Sequence, residues 1–144
     1  MKLSERIERI SGRERFRRAN RLRSSLDFAR LRREGRRVGG AYLALSYASQ
    51  PTPDGAAVVK EQPVRVGFSV SKRVGGAVVR NRVKRRLREA VRVRLTSLRP
   101  GWDIVISARP SAANADYATL DAELGGLLER ARLTRYTRDQ DSRP

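Results

Sequence analysis

The stretch from Val78 to Leu98 constrains this chain more than any other. Val79, Val83, Leu87, Ala90, Val91, Leu95 and Leu98 recur at intervals of three and four, the repeat of a helix with one buried face. Pro100 and Gly101 stop it. On a wheel of about 100° per residue, Val83, Leu87, Ala90, Val91, Leu95 and Leu98 share one side. Arg82, Arg85 and Arg92 lie opposite, with Arg86 and Arg88 on the flanks. Arg80 and Lys84 sit at the edge of the apolar seam. Arg94 falls inside it, which predicts a buried stem with its charged head in water. From Lys72 to Arg94, ten basic residues accompany one acidic residue, Glu89. A solvated helix face ordinarily mixes signs, with Glu four residues from Lys or Arg. Charges this one-sided repel one another unless a polyanion lies against them.

The rest of the chain supplies a sheet for that helix to cover. Asn20 to Glu34 predicts a basic amphipathic helix, capped by Ser24 or Ser25, with Asp27 in its first turn and Gly35 at its end. Leu26, Phe28 and Leu31 are its expected apolar contacts. Val38 to Tyr47 reads as a strand in which Leu43, Leu45 and Tyr47 alternate with Tyr42, Ala44 and Ser46. A turn-rich loop with Pro51, Pro53, Asp54 and Gly55 follows. Val64 to Val70 alternates again, suggesting an antiparallel pair with the first strand. Trp102 to Ala108 is a third strand, Pro110 to Ala115 a loop, and Asp116 or Asn114 the cap of a last helix with Tyr117, Leu120, Leu124, Leu127, Leu128 and Ala131 along one stripe. This order predicts a small α+β or α/β layer fold. Residues 1–19 read as a basic extension, 20–134 as the domain and 135–144 as a loose tail.

Charge and missing residue types narrow the function. The net charge is +18, from 33 Lys and Arg against 15 Asp and Glu, a field that attracts polyanions. Nucleic acid fits better than a membrane. No apolar run nears the roughly 20 residues that span a bilayer, and the N-terminus lacks a signal-peptide stretch, so a cytoplasmic location is expected. With no Cys and no His, the chain has no thiolate nucleophile, no zinc finger and no ordinary general base near neutral pH. Its carboxylates are scattered. Asp121 with Glu123 reads as a helix start and Asp139 with Asp141 as a frayed tail, so no catalytic residue and no metal ligand is assigned.

Lys72-Arg73-Val74-Gly75-Gly76-Ala77 joins the second strand to the basic helix. Adjacent glycines permit a tight loop that a ligand can approach closely, and the free N–H groups of a helix start favour an anion. The Gly-x-x-x-x-Gly-Lys-Ser/Thr spacing of a nucleotide-hydrolysing phosphate loop is absent, and here the Lys precedes the glycines. Asn81 stands among the cations as an amide that can both donate and accept.

The run Ser71 to Arg85, with Arg80-Asn81-Arg82 at its centre and Lys84-Arg85 and Arg88-Glu89 beyond, closely resembles the signature of the bacterial ribonuclease P protein subunit. The resemblance extends to Asn20-Arg21-Leu22, Asp27-Phe28, Gly35 and Arg65 to Val70, and covers roughly Asn20 to Leu133. It implies an α+β fold, a two-layer α/β sandwich in which one sheet of about four strands carries three helices, with a strand–helix–strand crossover that in the family is left-handed. It also implies a small subunit that assists removal of the 5′ leader from precursor tRNA while the RNA subunit, with magnesium bound mainly to it, does the chemistry. The implied partners are ribonuclease P RNA and precursor tRNA, with no membrane and no small-molecule cofactor. Lys72, Arg73, Arg80, Asn81, Arg82, Lys84, Arg85 and Arg88 map onto positions that bind the catalytic RNA. Phe28 maps onto a leader-cleft aromatic. Arg32 stands where the family often has a second one. Tyr42 and Tyr47 on the following strand point to opposite faces, so either one or the other can line the same cleft, and Tyr47 is the one assigned to it. A structural ribosomal protein is the alternative from another class, and a self-sufficient nuclease a third; the Lys72–Glu89 pattern favours the first reading over the second, and the lack of His and of clustered carboxylates counts against the third.

Overall fold

The structure, a computed structural model, describes residues 18–51 and 62–135. Most of the basic extension, the turn residues Pro53, Asp54 and Gly55, and the tail after Arg135 lie outside the described residues. Three helices and four strands follow in the order α1 (Ser25–Glu34), β1 (Arg36–Gly39), β2 (Leu43–Ser49), β3 (Arg65–Ser69), α2 (Ala77–Arg92), β4 (Trp102–Ala108) and α3 (Tyr117–Arg130). The strands form one sheet in the order β1-β2-β4-β3. This is the α+β architecture expected, and two details of its wiring differ from the sequence reading.

The stretch Val38 to Tyr47 is not one strand. It folds back between Gly39 and Leu43, so that β1 and β2 pair antiparallel, with Arg36 opposite Tyr47 and Gly39 opposite Ala44. The turn is held from a distance. The Glu123 carboxylate on α3 accepts the backbone N–H groups of Ala41, Tyr42 and Leu43 at 2.9, 2.7 and 2.6 Å. A Cβ on Gly40 would lie 2.6 Å from that carboxyl carbon, so glycine is what lets the turn close on it. Glu123 is therefore a staple between helix and hairpin, not a helix-start charge. Glu123→Ala should lower the urea-unfolding free energy by about 2 kcal/mol, the scale of hydrogen bonds to a charged group; a loss below about 0.5 kcal/mol would show the staple to be idle.

Nor do the first strand and Val64–Val70 pair with each other. β4 inserts between them, antiparallel to β2 and parallel to β3. The parallel pair requires a crossover, and α2 is that crossover.

Alternation then sorts the two sheet faces. Leu43, Leu45 and Tyr47 of β2, Val66 of β3 and Ile104 and Ile106 of β4 join Val83, Leu87 and Val91 of α2 and Leu120, Leu124 and Leu128 of α3 in the main core. The opposite face carries α1, through Leu22, Leu31 and Val105, with Phe28 and Ala48 packed beside them. Ser24 caps α1, its hydroxyl accepting from Leu26 N at 3.2 Å. Asp116 caps α3 in the same way from Thr119 N at 2.8 Å. Leu26 is not an apolar contact, being 80% exposed on the first turn. At the end of α1, a Cβ on Gly35 would meet the helix's own Leu31 O at 2.5 Å and Tyr47 O of the sheet at 3.0 Å, so the chain leaves no room for a side chain there.

An ionic cluster also ties α1 to the sheet. Asp103 on β4 is fully buried. It takes a fork from Arg65 of β3, Nε to one oxygen and Nη2 to the other, both at 2.8 Å. Arg30 of α1 bonds the second oxygen. The segment before α1 covers the free edge of β3, with Leu22 N on Val66 O at 3.0 Å and the Asn20 amide on Val64 O at 2.9 Å.

Candidate nucleic-acid interface

The Ser71–Gly76 loop enters α2 through two overlapping turns, Val74 N to Ser71 O at 3.1 Å and Gly75 N to Lys72 O at 3.2 Å. Val74 is buried and anchors the loop to the core. Gly75 has φ +154°, and a Cβ there would press on Val79 at 3.0 Å. Gly76 is the N-cap and offers no side-chain cap. The first-turn N–H groups are thus left to a ligand or to water. The first turn holds no acidic residue, and Arg80 and Arg82 follow directly. Cations at a helix start oppose the macrodipole, so their placement costs stability unless an anion lies against them.

The cations of α2 fall into two groups. Some are consumed inside the protein. Arg86 donates to Ala115 O at 2.6 Å. Arg92 pairs with Glu89, Nε to Oε1 at 3.0 Å. Arg94, just past the helix, does not carry its head to water; it bonds Asp121 of α3 and the Ala90 carbonyl, the latter at 3.0 Å. Asp121 and Arg94 therefore close the α2–α3 seam. The other α2 cations Arg80, Arg82, Lys84, Arg85 and Arg88, the helix amide Asn81 and the loop cations Lys72 and Arg73 have no side-chain hydrogen bond or ion pair among the described residues. Lys72, Arg73, Asn81, Arg82, Arg85 and Arg88 are exposed, and Arg80 and Lys84 half-buried. The Arg80 Nε is buried without a partner.

A cleft of about 310 Å³ runs along the β3 edge, between the segment preceding α1 and the flank of α2. Phe28 and Gly67 form its apolar part, Arg21 and Arg23 one wall, Lys84 and Arg88 the other. Gly67 makes room for the ring: a Cβ there would stand 2.6 Å from Phe28 Cζ. Phe28 is half-buried, so it both packs and presents ring surface. Arg32 is exposed one turn further along α1 and does not line the cleft. Tyr47 is a correction. It is 8% exposed in the main core, its ring 6.2 Å from that of Trp102, on the sheet face opposite Phe28. Period-two alternation puts it with Leu43 and Leu45, and the cleft side of β2 carries the small residues Ser46 and Ala48 instead. Arg21, Arg23 and Phe68 line the cleft unassigned by the sequence reading. The Asn20-Arg21-Leu22 resemblance was the signal for Arg21.

No group of three or more carboxylates among the described residues could hold a metal ion, and no helix of the described residues is long and apolar enough to cross a membrane.

A single four-stranded sheet with a cationic crossover helix and a cleft along the β3 edge defines a class of small α+β proteins. The ribonuclease P family model matches residues 16–132. The ribonuclease P protein component of Streptomyces bikiniensis is 49% identical over 111 residues, covering 77% of this chain and 90% of that one. That of Salinispora tropica is 42% identical over 132 residues, covering 85% and 97%. Among solved structures, the Staphylococcus aureus RNase P protein aligns with a TM-score of 0.68 at 28% identity, over 79% of this chain and 96% of that one. The Thermotoga maritima protein aligns at 0.64 and 28%, over 76% and 96%. The chain belongs to the ribonuclease P protein family, and a place as a subunit of that tRNA-processing ribonuclease goes with membership.

Proposed function

We propose that this chain docks on the ribonuclease P RNA through the unpaired cations of α2 and its preceding loop, and holds the 5′ leader of precursor tRNA in the cleft at Phe28. The RNA subunit, with magnesium held mainly by it, carries out the cleavage in the cytoplasm, and the protein contributes affinity and position rather than a catalytic group. The observation that carries this reading is the shared wall. Lys84 and Arg88 belong to the docking helix and also line the cleft, so RNA on the helix and a strand in the cleft lie side by side. A cleft with one aromatic face and cationic walls suits unpaired nucleotides, whose bases stack while their phosphates pair with Arg and Lys. In this reading Arg32, exposed one turn beyond Phe28 and outside the cleft lining, meets a leader phosphate where the strand leaves the cleft.

Reconstitution tests it. The purified chain, added to a bacterial ribonuclease P RNA at low magnesium, should raise the rate of 5′-leader cleavage; no gain would sink the proposal, and cleavage without RNA would relocate the chemistry to the protein. Phe28→Leu, which keeps an apolar packing group, should cost about tenfold in affinity for precursor tRNA, the scale of one base–aromatic stack. Binding of mature tRNA should stay unchanged. Equal losses on both would remove Phe28 from leader recognition.

A further inference from the structure

The flank of α2 turned away from the Phe28 cleft has a groove of its own. It measures about 450 Å³ and is lined by Arg85, Arg86, Arg88, Glu89 and Arg92 of α2 and by Tyr117 at the start of α3. Its parts are unequal in a way that suits a ligand. Arg86 donates to the Ala115 carbonyl at 2.6 Å and Arg92 pairs with Glu89 at 3.0 Å, so these two walls are already engaged within the protein. Tyr117 is half-buried, its inner side against the main core. Arg85 and Arg88 are exposed and have no partner among the described residues. Burial, first, and then the Asp121 charge push the Tyr117 phenol above its usual range. An aromatic floor, walls engaged within the protein and two free guanidinium groups form the pattern that stacks a base and pairs its phosphates.

We propose that this groove seats an unpaired base of the ribonuclease P RNA on the ring of Tyr117, with Arg85 and Arg88 on the neighbouring phosphates. The inference rests on the reading that α2 docks on that RNA. It commits to the RNA subunit rather than to the leader because Arg88 stands on the crest of the helix, shared by both grooves, while Lys84 faces the Phe28 side and Arg85 this one. A leader strand in the Phe28 cleft therefore leaves this flank to the RNA on which the helix lies. The base is unpaired because a ring floor reads a base face, which a base stacked inside a duplex does not present.

The test uses the full chain with Tyr117→Phe, Tyr117→Leu and Tyr117→Ala, and Arg82→Ala as reference. Each is titrated against ribonuclease P RNA alone, without precursor tRNA, after thermal melts establish that it is folded at the assay temperature. The phenylalanine variant should bind within about twofold of the parent, and the leucine and alanine variants about tenfold more weakly, the scale of one lost base–aromatic stack. The preference of the reconstituted enzyme for precursor over mature tRNA should be the same in all three. Leucine binding as tightly as tyrosine would overturn the stacking role, and phenylalanine failing like alanine would overturn it too. If Arg82→Ala weakens binding and the Tyr117 series does not, this inference falls while docking through α2 stands. If none of the four weakens binding, the docking reading itself falls.

Discussion

Asp103→Ala should lower the unfolding free energy by about 3 kcal/mol, near the low end of what breaking a buried ion pair costs. The carboxylate is fully buried and accepts a two-pronged fork from Arg65 plus a bond from Arg30. The Asp103 bond is the first cause, and burial an opposing one, of the upward shift of the Arg65 guanidinium pKa. Removing the acid leaves two guanidinium groups against the sheet. Both have some access to water, which is why the low end of the range applies, and Asp27 stands 3.9 Å from Arg30 Nε and 4.0 Å from Arg65 Nη1 as a weak substitute. For a domain of this size the loss corresponds to a melting temperature lower by about 10 °C. Asp103→Asn, which keeps the shape and some acceptor capacity, should cost less. A urea midpoint within error of the parent for the alanine variant would show that the cluster contributes nothing net. The cluster also fixes α1, hence Phe28, over Gly67, so the variant should lose precursor affinity while still folded.

What the sequence made legible follows the range of the forces involved. The α2 seam was readable because helical burial repeats within the element, and Val83, Leu87, Ala90 and Val91 are its buried residues. The caps were legible to within two residues, Ser24 or Ser25 and Asp116 or Asn114, because a cap acts over a few residues, and the structure selects Ser24 and Asp116. The division of one apparent strand at Gly39–Leu43 was not, since its fixing group, Glu123, lies some eighty residues away. The insertion of β4 between β2 and β3 has no local signature either. Tyr47 shows the same limit on a smaller scale: alternation grouped it with Leu43 and Leu45, but which face holds the cleft depends on where α1 lands. Arg94 was read as reaching water because its partner Asp121 belongs to another helix. Asp103 does carry a local signal, the one carboxylate in a strand whose other residues are apolar except Ser107, and it is stable there only if cations come to it.

The free and the consumed cations of α2 should separate in a salt titration. Arg82→Ala with Arg85→Ala should weaken binding to ribonuclease P RNA about a hundredfold at moderate salt, taking each lost charged hydrogen bond at about 1.5 kcal/mol. The slope of log affinity against log salt should flatten by about 1.4 to 1.8, because each phosphate contact contributes about 0.7 to 0.9. The pair should leave the melting temperature unchanged or slightly higher, since two mutually repelling charges with no partner among the described residues are removed. Arg86→Ala should behave in the opposite sense. Its guanidinium satisfies the Ala115 carbonyl, so its loss should cost stability and change the salt slope by well under one phosphate contact. Both residues sit on the same helix and carry the same charge, so net charge alone would make their effects on the slope equal. Equal slopes for Arg82→Ala and Arg86→Ala would mean that the RNA senses only the overall field. Unequal slopes would mean that it meets the particular groups the fold leaves free.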